Sequence, residues 1–294
     1  MDLQDTAPLK PEEWLIGALG VWMGTPAEGW RRLGPFTYVT NDVHVGWSED
    51  STSRVLVAGG NGLWQTTGDP QHRWVQLHDE TLTEVTAVRD TKDGVVVAGT
   101  YGVSCATLDD LGVPRWQSQT EDRVPDERFT NTLQIGEDGL RLAGTEAGVL
   151  ISEDDGSSWR LSDLRDTAVR ALCRVGDRWM AGSDTRGLWA SLDGLSWKSV
   201  PSPTTAVFSI HAGRHLLLGG YDGVYVQQGG SDSWRRVGPR ALIRALGVDD
   251  SVPNGVWLAG ADPGGLWVSE DEGVSWQRTG DFGAVHCICP ARGN

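Results

Sequence analysis

One short segment of this chain occurs three times. Residues 152–159 read SEDDGSSW, residues 269–276 read SEDEGVSW, and residues 191–197 read SLDGLSW, one residue shorter. Each follows a run containing Gly-Val-Leu or Gly-Leu-Trp, and that run follows Ala-Gly. Extending this frame finds four degenerate copies, so the marker tryptophans are Trp30, Trp74, Trp116, Trp159, Trp197, Trp234 and Trp276. Their spacings are 44, 42, 43, 38, 37 and 42 residues, and seven copies fill the chain. A period near that length marks one structural unit stacked against its neighbours, because a single copy cannot bury its own apolar face.

Within a copy the pattern is strand-like. From Glu84 the chain reads EVTAVRD, DGVVVAGT, YGVSCATL and RWQSQ, separated by Gly and Asp turns. No helical period is sustained. Four short strands per repeat of about 40 residues is the pattern of a propeller blade. The expected fold is all-β, a single seven-bladed β-propeller with four-stranded antiparallel blades. The C-terminal AVHCICPA matches the first strand of other copies, such as AVRALCRV, whereas WLIGALG near the N-terminus matches a second strand. The last strand is therefore expected to complete the first blade, which closes the ring and removes an open edge. One domain is expected over residues 1–294. Residues 1–12 form a lead-in, and blade 1 is shared between about 13–34 and 281–291.

The motif S-x-D-x-G-x-x-W resembles the Asp-box, or bacterial neuraminidase repeat, of sialidases, xyloglucanases, sortilin-type receptors and photosystem II assembly factors. Its positions here are Ser152, Asp154, Gly156 and Trp159; Ser191, Asp193 and Trp197; and Ser269, Asp271, Gly273 and Trp276. The residue chemistry is that of a turn. Ser and Asp bond nearby backbone, Gly permits positive φ, and Trp packs under the hairpin. A calcium loop would need a longer set of alternating oxygen ligands. The resemblance implies a structural box away from any active site. The photosystem II assembly factors, single seven-bladed propellers of similar size, are the nearest in architecture, and that resemblance implies a protein-interaction or assembly scaffold. Sialidases are six-bladed with an F-R-I-P segment that this chain lacks, and xyloglucanases use two propellers.

A site must be sought where the inner strands begin, around the channel. Aligning those strands gives a column of His44, Thr86, Asn131, Arg170, Phe208, Arg244 and His286. Six of the seven are polar, which fits either a ligand site or a solvated polar plug. Arg170 and Arg244 would hold an anionic group. The adjoining loops add Asn61, Tyr101, Glu146, Asp184, Arg186, Tyr221, Asp222 and Asp262. His44, His286, Glu146 and Asp184 are the candidates for acid–base catalysis of a hydrolysis, elimination or cyclisation. Thr86, Asn131, Phe208, Tyr101, Tyr221 and Asp222 are candidates for ligand contact. The same carboxylates could instead neutralise the arginines. Neither a metal nor an organic cofactor is expected, since no third ligand joins His44 and His286 and no phosphate-binding loop is present. Trp22, Trp64, Trp189 and Trp267 follow Gly at equivalent places and are read as packing between blades.

The formal charge of −15 argues against a nucleic-acid partner and against an anionic membrane surface. No apolar run is long enough for a transmembrane helix. The first residues, MDLQDTAPLKPEEW, lack the basic and apolar regions of a signal peptide, and the four cysteines do not form a disulfide pattern. Cys287 and Cys289 alternate on one strand face and are read as buried small apolar residues rather than a metal pair. A cytoplasmic monomer is expected, binding a small polar or anionic ligand or a protein partner at the channel-mouth face.

Overall fold

The structure is a computed structural model. It describes residues 9–34, 37–47, 53–67, 74–77, 84–92, 94–108, 114–136, 138–229, 232–252 and 255–292. The chain forms seven four-stranded antiparallel sheets arranged as the blades of a β-propeller. Blade 1 combines Trp14–Ala18, Gly20–Thr25 and Gly29–Leu33 with the last strand, Cys287–Pro290. The last strand is the inner one and pairs with Trp14–Ala18. Blades 2 to 7 follow in chain order, each from its inner strand outward. Their inner strands are Thr40–Trp47, Val85–Thr91, Thr130–Ile135, Val169–Val175, Ser209–Ala212 and Ile243–Asp249. One helical turn not expected from the sequence, Pro125–Arg128, lies between blades 3 and 4. Pro125 supplies its first position, where the missing N–H costs nothing.

Alternation of side chains explains the packing. In Ser53–Gly59, Val55 and Val57 face blade 1 while Leu56 and Ala58 face blade 3. Both faces of a blade are buried, so these strands read as nearly continuous apolar runs. Seven apolar clusters lie among the described residues, one between each pair of neighbouring blades. The Ala-Gly marker has a packing reason as well. A Cβ on Gly182 would lie 2.7 Å from the carbonyl of Val207, and one on Gly219 would lie 2.6 Å from that of Ile243. The glycine is the seat on which the start of the next blade rests.

The three SEDDGSSW-type turns are hydrogen-bonded as their residue chemistry demands. Ser152 Oγ donates to Asp154 Oδ1 (2.9 Å) and accepts from the Gly156 N–H (2.8 Å). Asp154 accepts from the Ser158 N–H (2.8 Å) and hydroxyl (2.6 Å). Ser269, Asp271, Gly273 and Ser275 repeat this set. In the shorter copy, Asp193 accepts from the Leu195 and Ser196 N–H groups instead. Asp155 (φ 56°) and Glu272 (φ 54°) carry the left-handed turn in the longer copies. Trp159 and Trp197 are buried beneath it, while Trp276 is partly exposed. The corresponding turns of blades 2, 3 and 6 fall partly or wholly outside the described residues, as do residues 1–8 of the lead-in.

These bonds have a pH consequence. The Ser275 hydroxyl, then its N–H and the Ser269 hydroxyl, pull the Asp271 carboxyl down to about 2. Asp154 is lowered chiefly by Ser158, and Asp193 chiefly by the Ser196 N–H. A carboxylate lowered on folding stabilises the fold above its unfolded pKa and loses that contribution as pH falls through the folded one. Asp271→Asn is therefore expected to lower the melting temperature at pH 7 and to change little near pH 2. Melting curves of both proteins across that range check it.

Cys287 is packed against the backbone of blade 1, and Cys289 is 2% exposed among Leu15, Val43 and Val57. Burial pushes both thiols up, Cys289 to about 12, so neither forms a thiolate at neutral pH.

Candidate functional site: the channel mouth

Five inner strands begin with a β-bulge. The pairing register skips one residue between Thr40 and Asp42, Val85 and Ala87, Thr130 and Thr132, Val169 and Ala171, and Ile243 and Ala245. A bulge leaves one residue unpaired and re-aims its side chain. The skipped residues are Asn41, Thr86, Asn131, Arg170 and Arg244. In blades 6 and 1, Phe208 and His286 take the same place, their N–H groups bonded to the Gly219 and Gly17 carbonyls at 2.8 Å. These seven side chains line one cavity of about 180 Å³ at the channel mouth.

Six of the seven ring positions match the sequence alignment and one is corrected. His44 is not in the ring, and Asn41 stands in its place. The residue frame was available. Thr-Asn-Asp-Val at 40–43 matches Thr-Asn-Thr-Leu at 130–133, with Val43 and Leu133 buried at the fourth position. The alternation Val43-His44-Val45 imitates that frame three residues later, where the strand is already regularly paired.

Half of the ring is structurally committed. Asn41 Nδ2 donates to the Val85 carbonyl (2.9 Å), Thr86 Oγ1 to the Thr130 carbonyl (2.6 Å), and Asn131 Nδ2 to the Val169 carbonyl (3.3 Å). Each side chain thus ties its blade to the next. Arg170 is saturated. Its Nε and Nη2 donate to Asp184 (2.7 and 2.6 Å), Nη1 to Asn131 Oδ1 and Glu146 Oε1 (both 2.7 Å), and Nη2 also to Glu146 Oε2 (3.3 Å). All five donors of a guanidinium are then used. The pair with Asp184, ahead of Glu146, raises the Arg170 pKa above its ordinary value. Glu146 and Asp184 are held by the same contacts.

The other half is open. Arg244 donates through Nε to Asp262 Oδ2 (2.7 Å), and its terminal nitrogens make no hydrogen bond among the described residues. His286 lies beside this pair. Burial lowers its pKa, the Asp262 charge opposes that, and Arg244 adds to it, so the imidazole is neutral at pH 7. Phe208 sits edge-on to Tyr221, with ring centroids 4.8 Å apart. Past the ring the channel continues over Leu172, Ile210, Leu246 and Ile288 to an ion pair that sequence reasoning missed, Arg89 Nη1 to Asp42 Oδ2 at 2.7 Å.

The remaining loop candidates do not line this cavity. Asp222 accepts from the Tyr225 hydroxyl (2.6 Å), and Arg186 stacks on Trp189 with its guanidinium carbon 5.0 Å from the ring centroid. Asn61, Tyr101 and Tyr221 are exposed in the turns between second and third strands of their blades. Among the described residues, no group of three or more His, Cys, Asp and Glu side chains could hold a metal ion.

No protein-family model and no curated protein matches the chain. Solved structures match it as a fold. The computationally designed Ika8 protein is 15% identical, with a TM-score of 0.63 over 96% of this chain and 88% of that one. The WD40 β-propeller domain of Doa1 is 12% identical, with a TM-score of 0.61 over 87% of this chain and 91% of that one. The GH74 xyloglucanase from Xanthomonas campestris is 17% identical, with a TM-score of 0.59 over 83% of this chain but 46% of that one. At such identities the likeness carries architecture alone, and the protein is a seven-bladed β-propeller.

Proposed function

We propose that the channel mouth binds a small molecule bearing a carboxylate or comparable oxyanion, seated on Arg244 beside His286 and Phe208. One observation carries this reading. Of two arginines in the same ring, Arg170 has every donor occupied, whereas Arg244 keeps both terminal nitrogens without partners among the described residues. Asp262 holds Arg244 by Nε and leaves its outer edge for a bidentate acceptor. Phe208 supplies an apolar wall on one side. The cavity is smaller than a drug-sized pocket, which favours a compact ligand. The carboxylates nominated for catalysis are bound to Arg170, so any proton transfer at this site falls to His286, a neutral base within the cavity.

Arg244→Ala is expected to weaken binding of succinate or a similar dicarboxylate by about 30-fold or more, since truncating one partner of such a pair costs roughly 2 kcal/mol or more. Titration calorimetry against a panel of carboxylates, phosphate and sulfate measures this. Equal binding by the variant would sink the reading. Affinity should also rise as pH falls below the ordinary histidine range, because protonated His286 adds a second positive charge.

A second reading has its own observation. Leu19, Val39, Tyr101, Val124, Phe129 and Tyr221 are all exposed large apolar residues, and all lie in the loops on this same face. Such a concentration suits a protein partner covering the mouth. Tyr101→Ser with Tyr221→Ser would abolish partner binding and leave Arg244-dependent anion binding in place.

A further inference from the structure

The opposite face carries a second anomaly. Arg141 opens the second strand of blade 4, and its side chain is 3% exposed. Its Nε has no hydrogen-bond partner among the described residues. Nη1 reaches Gln119 Oε1 at 3.3 Å, and Nη2 lies 3.9 Å from Asp155 Oδ1, a carboxylate that is itself 65% exposed. A buried guanidinium with one long neutral hydrogen bond and one loose ionic contact is undercompensated.

The sister blades show what the position holds when it is purely structural. Arg141 pairs with Ser152, the first residue of the hydrogen-bonded turn. In the same register, Trp179 pairs with Ser191 and Trp257 pairs with Ser269. Both tryptophans are buried. Blade 4 has a cation at a site that its siblings fill with an apolar ring. Beside it is a cavity of about 440 Å³, bordered by His44, Arg89, Lys92, Asp138 and Asp155 as well as Arg141.

The other charges of this cavity are mostly engaged. Asp90 is bound by Arg54, Arg89 by Asp42, and Asp138 Oδ1 accepts from the Leu140 N–H at 3.2 Å. Among the described residues, Arg141 and the exposed Lys92 remain as cations without a firm partner, and the Asp155 carboxylate is held only at long range. His44 contributes an imidazole whose pKa burial lowers below its ordinary value.

We propose that this cavity is a second ligand site, binding the phosphate of a small phosphoester between Arg141 and Lys92. A phosphate oxygen on the free Nε edge of Arg141 would complete its hydrogen bonding and displace Asp155 toward solvent. The cavity exceeds what inorganic phosphate fills, and His44 and Asp138 can meet the hydroxyls of the esterified group.

The test uses the full chain at fixed ionic strength, titrated with inorganic phosphate and with glycerol 1-phosphate. Saturable binding of both, with the ester equal or tighter, is the expected result. Lys92→Glu changes only an exposed side chain and should weaken binding roughly tenfold or more. Arg141→Trp installs the residue of the sister blades and should abolish it, while Arg244→Ala at the channel mouth should leave it unchanged. Binding retained by both Lys92→Glu and Arg141→Trp would overturn the site. So would an absence of saturation by either ligand up to about 10 mM. A site that takes phosphate and excludes the ester would overturn the phosphoester assignment.

Discussion

A chain ended after Gly283 is expected to lose cooperative folding. The truncation removes the inner strand of blade 1, which pairs Trp14 with Pro290, Leu15 with Cys289, Ile16 with Ile288 and Gly17 with Cys287. It also removes Val285 and Cys289, both buried in clusters that join blade 1 to its two neighbours. Two buried side chains at about 1.5–3 kcal/mol each and several ladder hydrogen bonds at about 1 kcal/mol each sum to roughly 5–10 kcal/mol. That is comparable with the whole stability of a typical domain. Leu15 and Ile16, fully buried in the intact ring, would then border an unpaired strand edge. Thermal melting by circular dichroism, with size-exclusion chromatography, reads the outcome. A truncated chain melting within a few degrees of the full one would show that ring closure is dispensable.

The second large effect is expected at Trp257. This side chain is 1% exposed and is the largest among the fully buried residues. It packs with Leu217, Val226 and Val237 of blade 6, and its ring meets His215 edge-on at a centroid distance of 5.5 Å. It also supports the turn above, where a Cβ on Gly273 would lie 2.8 Å from the indole. Neighbours on a rigid turn and two sheets cannot collapse into the space left behind. Trp257→Ala should therefore cost about 3–5 kcal/mol, in the range of buried Trp and Phe truncations. Urea denaturation at constant m-value measures it. As a contrast, Leu192→Ser, in an exposed turn position at 66% exposure, should change stability by less than about 0.5 kcal/mol.

The architecture was legible because each blade repeats the same local demands. Ser and Asp must satisfy a tight turn, and a glycine must seat the next blade, as Gly182 and Gly219 do. Residue types record such demands directly. The ring was legible in part, because the residue at the head of each inner strand, bulged in five of the seven, is mostly polar. The slip to His44 arose because a bulge adds one residue without marking it by type. The different fates of Arg170 and Arg244 could not be read at all. They sit in Val-Arg-Ala-Leu and Ile-Arg-Ala-Leu, nearly identical contexts. Each is held by an aspartate of its own blade, Asp184 or Asp262, but the preceding blade adds Asn131 and Glu146 to Arg170 and places only Phe208 beside Arg244 in the ring. The fate of each side chain is decided across a blade interface, where local sequence is silent. Arg141 was missed for the same reason. Its peculiarity emerges only when the strand register places it opposite Ser152, where its sisters have tryptophan.

Blade 1 also imposes an order in time. Gly17 leaves the ribosome 270 residues before Cys287, the residue it pairs with. At synthesis rates of about 5–20 residues per second, that interval is roughly 15–50 s. Blades 2 to 7 are each contiguous in sequence and can form as they emerge, whereas Trp14–Ala18 must wait with its inner edge open. The nascent chain therefore spends most of its synthesis as an open arc, and this edge is the place where a cellular holdase, or a neighbouring nascent chain, would compete with its proper partner.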